Sequence, residues 1–182
     1  MAFRSTPDQY GTVAVSIHWL TAVLILILVG SGFRAANTVD PATKAAILQV
    51  HLPIAVGVLI LTLLRVVWWW KFDRKPEPVG GSPNWQERIA NAVHVLFYVV
   101  VLGMIASGVG LMALSGAAPV IFSGEGVLPD FWRYPPRVPH GLGARLLVAL
   151  LILHVGAALY HHLVRRDGLL RRMWFGKRAA AG

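Results

Sequence analysis

The sequence predicts an all-α integral membrane protein, a four-helix bundle with both termini cytoplasmic. Three observations carry this expectation: hydrophobic residues at 56% against 14% charged, a mean hydropathy of +0.61, and four long stretches free of charge. A soluble domain carries about 25% charge and less apolar mass, and a disordered chain carries less still. The 182 residues read as a single transmembrane domain, 1–182, with no internal repeat. The net charge of +9 comes from 17 Lys and Arg scattered between apolar runs, which suits membrane topology better than a nucleic-acid partner. There is no Cys, so thiolate zinc sites, iron–sulfur clusters, covalently attached haem and disulfides are excluded, and the seven His become the main candidates for holding a metal or cofactor.

Residues 9–33, 45–64, 89–124 and 146–164 contain no Asp, Glu, Lys or Arg. A spanning helix needs about 20 mostly apolar residues. The expected helices are therefore 12–33, 46–69, 89–113 and 139–164. The first lacks the basic leader of a signal peptide and carries His18 near its start, so it is expected to be a retained span. A turn over Asn37–Thr43 leads to the second helix, which ends in Trp68, Trp69, Trp70 and Lys71, an interfacial belt. Asp73–Pro83, with Lys75-Pro76-Glu77-Pro78 and Gly80-Gly81, reads as an extended loop. After the third helix, Ser115–Pro139 is the longest loop, with Phe131-Trp132-Arg133-Tyr134-Pro135-Pro136 at headgroup level. Arg4, Lys71, Arg74, Lys75, Arg88, Arg165, Arg166, Arg171, Arg172, Lys177 and Arg178 then fall on one side, against Arg34, Lys44, Arg133, Arg137 and Arg145 on the other. The positive-inside rule makes the first side cytoplasmic.

Six histidines, His18, His51, His94, His140, His154 and His161, fall inside or at the edge of these helices, with His162 adjacent. Any one of them is equally well explained as an interfacial residue bonded to headgroups or carbonyls. The fourth helix breaks the tie. His140 and His154 are 14 positions apart, which returns to within roughly 40° of one face while rising about 21 Å. Zinc needs ligands converging within a few ångströms, whereas this spacing suits two planar cofactors at different depths, and neutral imidazole is an axial ligand of haem. His51 begins helix two level with His140, so these two form an outer pair. On the inner side His154 meets either His18 or His94, both at suitable depth. Gly30, Gly32, Gly57, Gly103, Ser107, Gly108, Gly110 and Gly156 permit close approach of a macrocycle or, equally, ordinary helix packing.

At these residues the sequence resembles the bacterial cytochrome b-561 family of four-helix dihaem membrane proteins. The resemblance rests on Ser16-Ile17-His18-Trp19-Leu20, on His51 with Gly57 and Leu64-Arg65, and on His94-Val95-Leu96-Phe97-Tyr98. It is strongest where His140 is followed by Leu153-His154-Val155-Gly156-Ala157-Ala158-Leu159-Tyr160-His161-His162 and then by Arg166-Asp167-Gly168-Leu169-Leu170-Arg171-Arg172-Met173. It implies two haem b groups, the inner held by His18 with His154 and the outer by His51 with His140. Two positions depart from the family pattern: a glutamate that often follows the first histidine of helix four is Gly141, and a proline common in helix three is replaced around Ile105. Within the family the similarity points to the stand-alone superoxide oxidase type, in the bacterial inner membrane, which oxidises periplasmic superoxide and reduces ubiquinone. A membrane subunit of a hydrogenase or dehydrogenase, with a redox protein partner, is the first alternative; a non-redox transporter or scaffold is the second.

That chemistry assigns further residues. Arg34 and Arg145 are expected on haem propionates, which guanidinium groups bind bidentately. Lys44, Arg133 and Arg137 are expected to steer the superoxide anion. His161 lies seven positions after His154, about 10 Å nearer the cytoplasm, and is expected to hydrogen-bond a quinone carbonyl, with His94 and Arg65 bordering the quinone site or the inner haem. His162 reads as interfacial.

Overall fold

The computed structural model describes residues 2–77 and 84–174; of the basic residues noted above, Lys177 and Arg178 lie outside the described residues, as do Pro78, Gly80, Gly81 and Pro83 of the second loop. Every regular element among the described residues is helical. Helix α1 is Thr12–Asn37, α2 is Pro41–Val67, α3 is Asn84–Ser115, α4 is Ala117–Ser123 and α5 is Arg137–Tyr160. Four of these, α1, α2, α3 and α5, are long and apolar enough to cross a membrane. Their outward faces present Leu26, Ile60, Val99, Val109 and Ile152, apolar side chains that a bilayer solvates and water does not.

Three spans, α1, α2 and α3, run a turn or so beyond an expected end, and α5 with its π extension exceeds its expected bounds by only one or two residues. Asp40 caps α2 by accepting the Thr43 amide at 2.8 Å, and Pro41 occupies the first turn, where its missing N–H costs nothing. The expected turn therefore shrinks to Thr38–Asp40. Spans α2 and α5 continue as π turns, Trp68–Phe72 and His161–Arg165. The expected loop Ser115–Pro139 is corrected in part: α4 and a 3-10 turn at Phe131–Arg133 lie within it. Gly116 allows α3 to break into α4, because it sits at φ 63°, a left-handed conformation that a side chain disfavours.

Helix α1 packs chiefly on α2, and α3 on α5. An inward seam advances by sevens along each span: His18, Ile25 and Gly32 on α1; His51, Val58 and Arg65 on α2; His94, Val101 and Gly108 on α3; His140, Leu147, His154 and His161 on α5 and its π extension. Seven residues rise about 10.5 Å and drift only about 20°, so each seam keeps facing the bundle axis. The middle layer is the dry core, where Ile25, Val58, Val100, Val101, Leu147 and Leu150 pack together. Histidines occupy the layers on either side of it.

The end carrying the first and last described residues is closed by polar contacts that periodicity does not reveal. Asp73 accepts the Ser5 amide at 3.0 and 3.1 Å, the Ser5 hydroxyl at 2.7 Å and the Trp68 indole at 3.0 Å. Trp68 is thus committed to this contact, while Trp70 remains exposed beneath Lys71 as an interfacial residue would. Arg172 is buried and donates to the carbonyls of Asp8, Pro7 and Glu77 at 2.9, 2.9 and 2.7 Å, joining three chain segments. The N-terminal segment lies so close to α1 that a Cβ on Gly11 would meet the backbone of Arg4 at 2.5 Å.

Candidate functional site

At the terminal end, α1, α3 and α5 bring His18, His94 and His154 together. The His18 and His154 rings have centroids 6.3 Å apart, and His94 and His154 are 5.6 Å apart in an edge contact. Phe97 closes the other side of His154 at 5.5 Å. Arg65, from the last turn of α2, places a guanidinium nitrogen 3.4 Å from His18 Nδ1. The four residues expected around the inner cofactor are therefore neighbours, including both rivals for partnership with His154.

At the far end, His51 of α2 and His140 of α5 each take a hydroxyl from the helix packed beside them. Ser31 Oγ lies 2.9 Å from His51 Nδ1, and Ser107 Oγ lies 3.0 Å from His140 Nδ1. The residue after each serine is glycine, and the ring edges fill the space: a Cβ on Gly32 would sit 3.3 Å from His51 Cε1, and one on Gly108 would sit 3.4 Å from His140 Cε1.

These donors fit an iron macrocycle. Metal–imidazole bonds run about 2.0–2.1 Å and the ring centre lies about 1.1 Å further on, so two imidazoles sharing one metal would have centroids up to about 6.3 Å apart. The His18–His154 rings stand 6.3 Å apart and the His94–His154 rings 5.6 Å apart. His51 and His140 keep Nε2 available because Nδ1 is already engaged.

The surrounding charges sort less evenly than the sequence reading expected. Arg137 and Arg145 flank Gly141, with guanidinium nitrogens 3.0 and 3.6 Å from where a Cβ would be, so the residue expected for steering and the one expected for a propionate stand side by side. Arg145 also donates to the Gly141 carbonyl at 3.1 Å, and Arg137 lies over the Trp132 ring at 4.4 Å. Arg133 leans toward Asp130 at 3.8 Å, both highly exposed. Arg34 and Lys44 stand in the last turn of α1 and the first turn of α2.

Beyond the inner histidines, His161 Nδ1 meets Asp167 Oδ2 at 2.5 Å, with both side chains largely buried, and His162 points outward. The π turn, Arg166 at φ 51° and Gly168 at φ 75° reverse the chain so that Asp167 returns to His161. Partial burial alone would raise the Asp167 carboxyl, but hydrogen bonds from His161 and the Leu169 amide hold it below its usual range. Asp167, Ser31 and Ser107 are the functional candidates that the sequence reading did not single out for these roles.

A family model described as prokaryotic cytochrome b561 matches residues 9–176. Cytochrome b561 homolog 1 of Escherichia coli is 25% identical over 173 residues, covering 91% of this chain and 97% of that one. Cytochrome b561 homolog 2 of the same organism is 24% identical, with 95% of each chain covered. A protein of Yersinia pestis named probable superoxide oxidase CybB is 24% identical over 180 residues, covering 93% of this chain and 98% of that one. Four apolar spans, histidines at two levels and a family match over nearly the whole length lead to one conclusion: the chain belongs to the prokaryotic cytochrome b561 family of membrane electron-transfer proteins that bind b-type haem.

Proposed function

We propose that this protein is a dihaem cytochrome b of the bacterial inner membrane, both termini cytoplasmic, that oxidises periplasmic superoxide and reduces ubiquinone at its cytoplasmic end. The observation that carries the proposal is the three-layer bundle, in which histidine pairs lie about two helical turns to either side of a dry apolar layer. In this reading His18 and His154 hold the inner haem, and His51 and His140 the outer one. The bound haems supply one-electron relay between the two faces. The protein excludes water from between them through Ile25, Val58, Val101 and Leu147.

Each superoxide surrenders one electron and leaves as dioxygen; a quinone takes up two electrons and two protons to become quinol. At the periplasmic face Lys44, Arg133 and Arg137 raise the local concentration of the anion. Arg34 and Arg145 neutralise propionates, and Arg65 does the same at the inner level. At the cytoplasmic face His161 donates its hydrogen bond to a quinone carbonyl, while Asp167 holds its Nδ1 and stabilises the imidazolium that carries a proton inward. His94 borders this pocket. The name borne by the Yersinia pestis relative supports this substrate, with sequence coverage of 98% of that protein.

The test uses the purified full-length protein without partners. Enzymatically generated superoxide reduces its haems, and added ubiquinone reoxidises them. Haems indifferent to superoxide that instead take electrons from a copurifying dehydrogenase would replace this reading with that of a membrane subunit. Colourless protein after expression with ample haem would overturn both.

A further inference from the structure

The two far-end histidines are held alike by residues from different helices. Ser31 and Gly32 of α1 embrace His51 of α2, and Ser107 and Gly108 of α3 embrace His140 of α5. Each serine also contacts its own helix, Ser31 Oγ to the Leu28 carbonyl at 3.2 Å and Ser107 Oγ to the Met104 carbonyl at 2.9 Å. A hydroxyl has one proton to donate. When that proton goes to the helix carbonyl, the serine oxygen accepts from imidazole Nδ1–H. In that arrangement both rings carry their proton on Nδ1 and leave the Nε2 lone pair free, the form a metal ligand needs. Serine back-bonding to its own helix is ordinary in membrane spans. Its use twice, against two histidines at one level and with glycine each time vacating the space for the ring edge, is not accounted for by packing alone.

We propose that Ser31-Gly32 and Ser107-Gly108 are matched clamps that present Nε2 of His51 and His140 to one iron, and that they set haem affinity and redox potential at the outer site. The proposal rests on the reading that these two histidines hold the outer haem. A hydrogen bond accepted from Nδ1–H makes the imidazole a stronger electron donor, which favours the oxidised iron. The inner level is built differently, with the Arg65 cation rather than a hydroxyl beside His18 Nδ1. The serine effect is therefore confined to one haem.

The experiment compares Ser31→Ala, Ser107→Ala, the double variant and Ser107→Thr with the wild-type holoprotein, in redox titrations and in haem transfer to apomyoglobin. The double alanine variant should lose haem from the outer site about 10–100-fold faster. Its outer midpoint should move upward while the inner midpoint stays fixed, and Ser107→Thr, which keeps the hydroxyl, should stay near wild type. His51→Ala and His140→Ala serve as controls. If these lose the outer haem while the double serine variant titrates and transfers haem like wild type, the clamp is refuted and the ligand pairing stands. If both histidine variants retain two haems, the pairing itself is refuted and the clamp with it.

Discussion

Replacing His18 with alanine, and separately His94, decides which ring shares an iron with His154. The magnitude follows from the ring separations. Two imidazoles sharing one metal have centroids up to about 6.3 Å apart, reached when they stand trans; the His18–His154 distance is 6.3 Å, and the His94–His154 distance is 5.6 Å. The shortfall at His94 is comparable to a third of a metal–nitrogen bond, more than a trans pair tolerates without moving α3 against α5, whose packed contact includes Val100, Val101, Leu147 and Leu150. His18→Ala should accordingly reduce haem content from two to about one per chain and remove the inner component of the reduced-minus-oxidised spectrum. His94→Ala should retain both haems, with a shifted inner midpoint because a polar neighbour of His154 is gone. Pyridine haemochromogen assay against protein mass, with low-temperature difference spectra, measures both. Retention of both haems in His18→Ala together with loss of one in His94→Ala would refute the reasoning.

Asp167→Asn should preserve haem content and haem reduction, slow reoxidation by quinone about 10–100-fold and alter its pH profile, as measured by stopped-flow absorbance. Asp167→Glu should recover part of that rate. Lys44→Gln combined with Arg137→Gln should lower the second-order rate with superoxide several-fold at low salt and flatten its dependence on ionic strength, read by pulse radiolysis. Partial burial would raise the Asp73 carboxyl, but hydrogen bonds from Ser5, Arg74 and Trp68 outweigh it and hold the carboxyl below its usual value of 3.8. A depressed carboxylate contributes its full stability above that value and loses it as pH falls toward the lower native one. The Ser5 amide should therefore stay protected from hydrogen exchange at neutral pH and open only in acid, and Asp73→Asn should remove that acid transition.

Much of the candidate site was legible because a helix repeats. His140 and His154 share a face of α5 by arithmetic alone, and the same step of seven extends to His161 and, on the other spans, joins His18 to Gly32, His51 to Arg65 and His94 to Gly108. Asp167 was not legible in this way. Six positions from His161 points away on a continuous helix, and only the π turn and the left-handed Arg166 bring it back. The helix α4 was hidden for a different reason: Ala117–Ser123 carries no charge and is too short to cross a membrane, so it merged with the loop around it.

By itself the amino-acid order determined the four spans and the depth of each histidine, because a bilayer demands uninterrupted apolar helices and thereby turns sequence position into height. It left open who meets whom across the bundle. That Ser31 reaches His51 from α1, that Ser107 reaches His140 from α3, that His18 stands at 6.3 Å from His154 and His94 nearer, and that Arg137 and Arg145 converge on Gly141 were decided by the tertiary structure. The contacts between spans join residues 20 to more than 130 positions apart, so they depend on how whole helices rotate and pack against one another. Periodicity within one helix carries no information about that rotation.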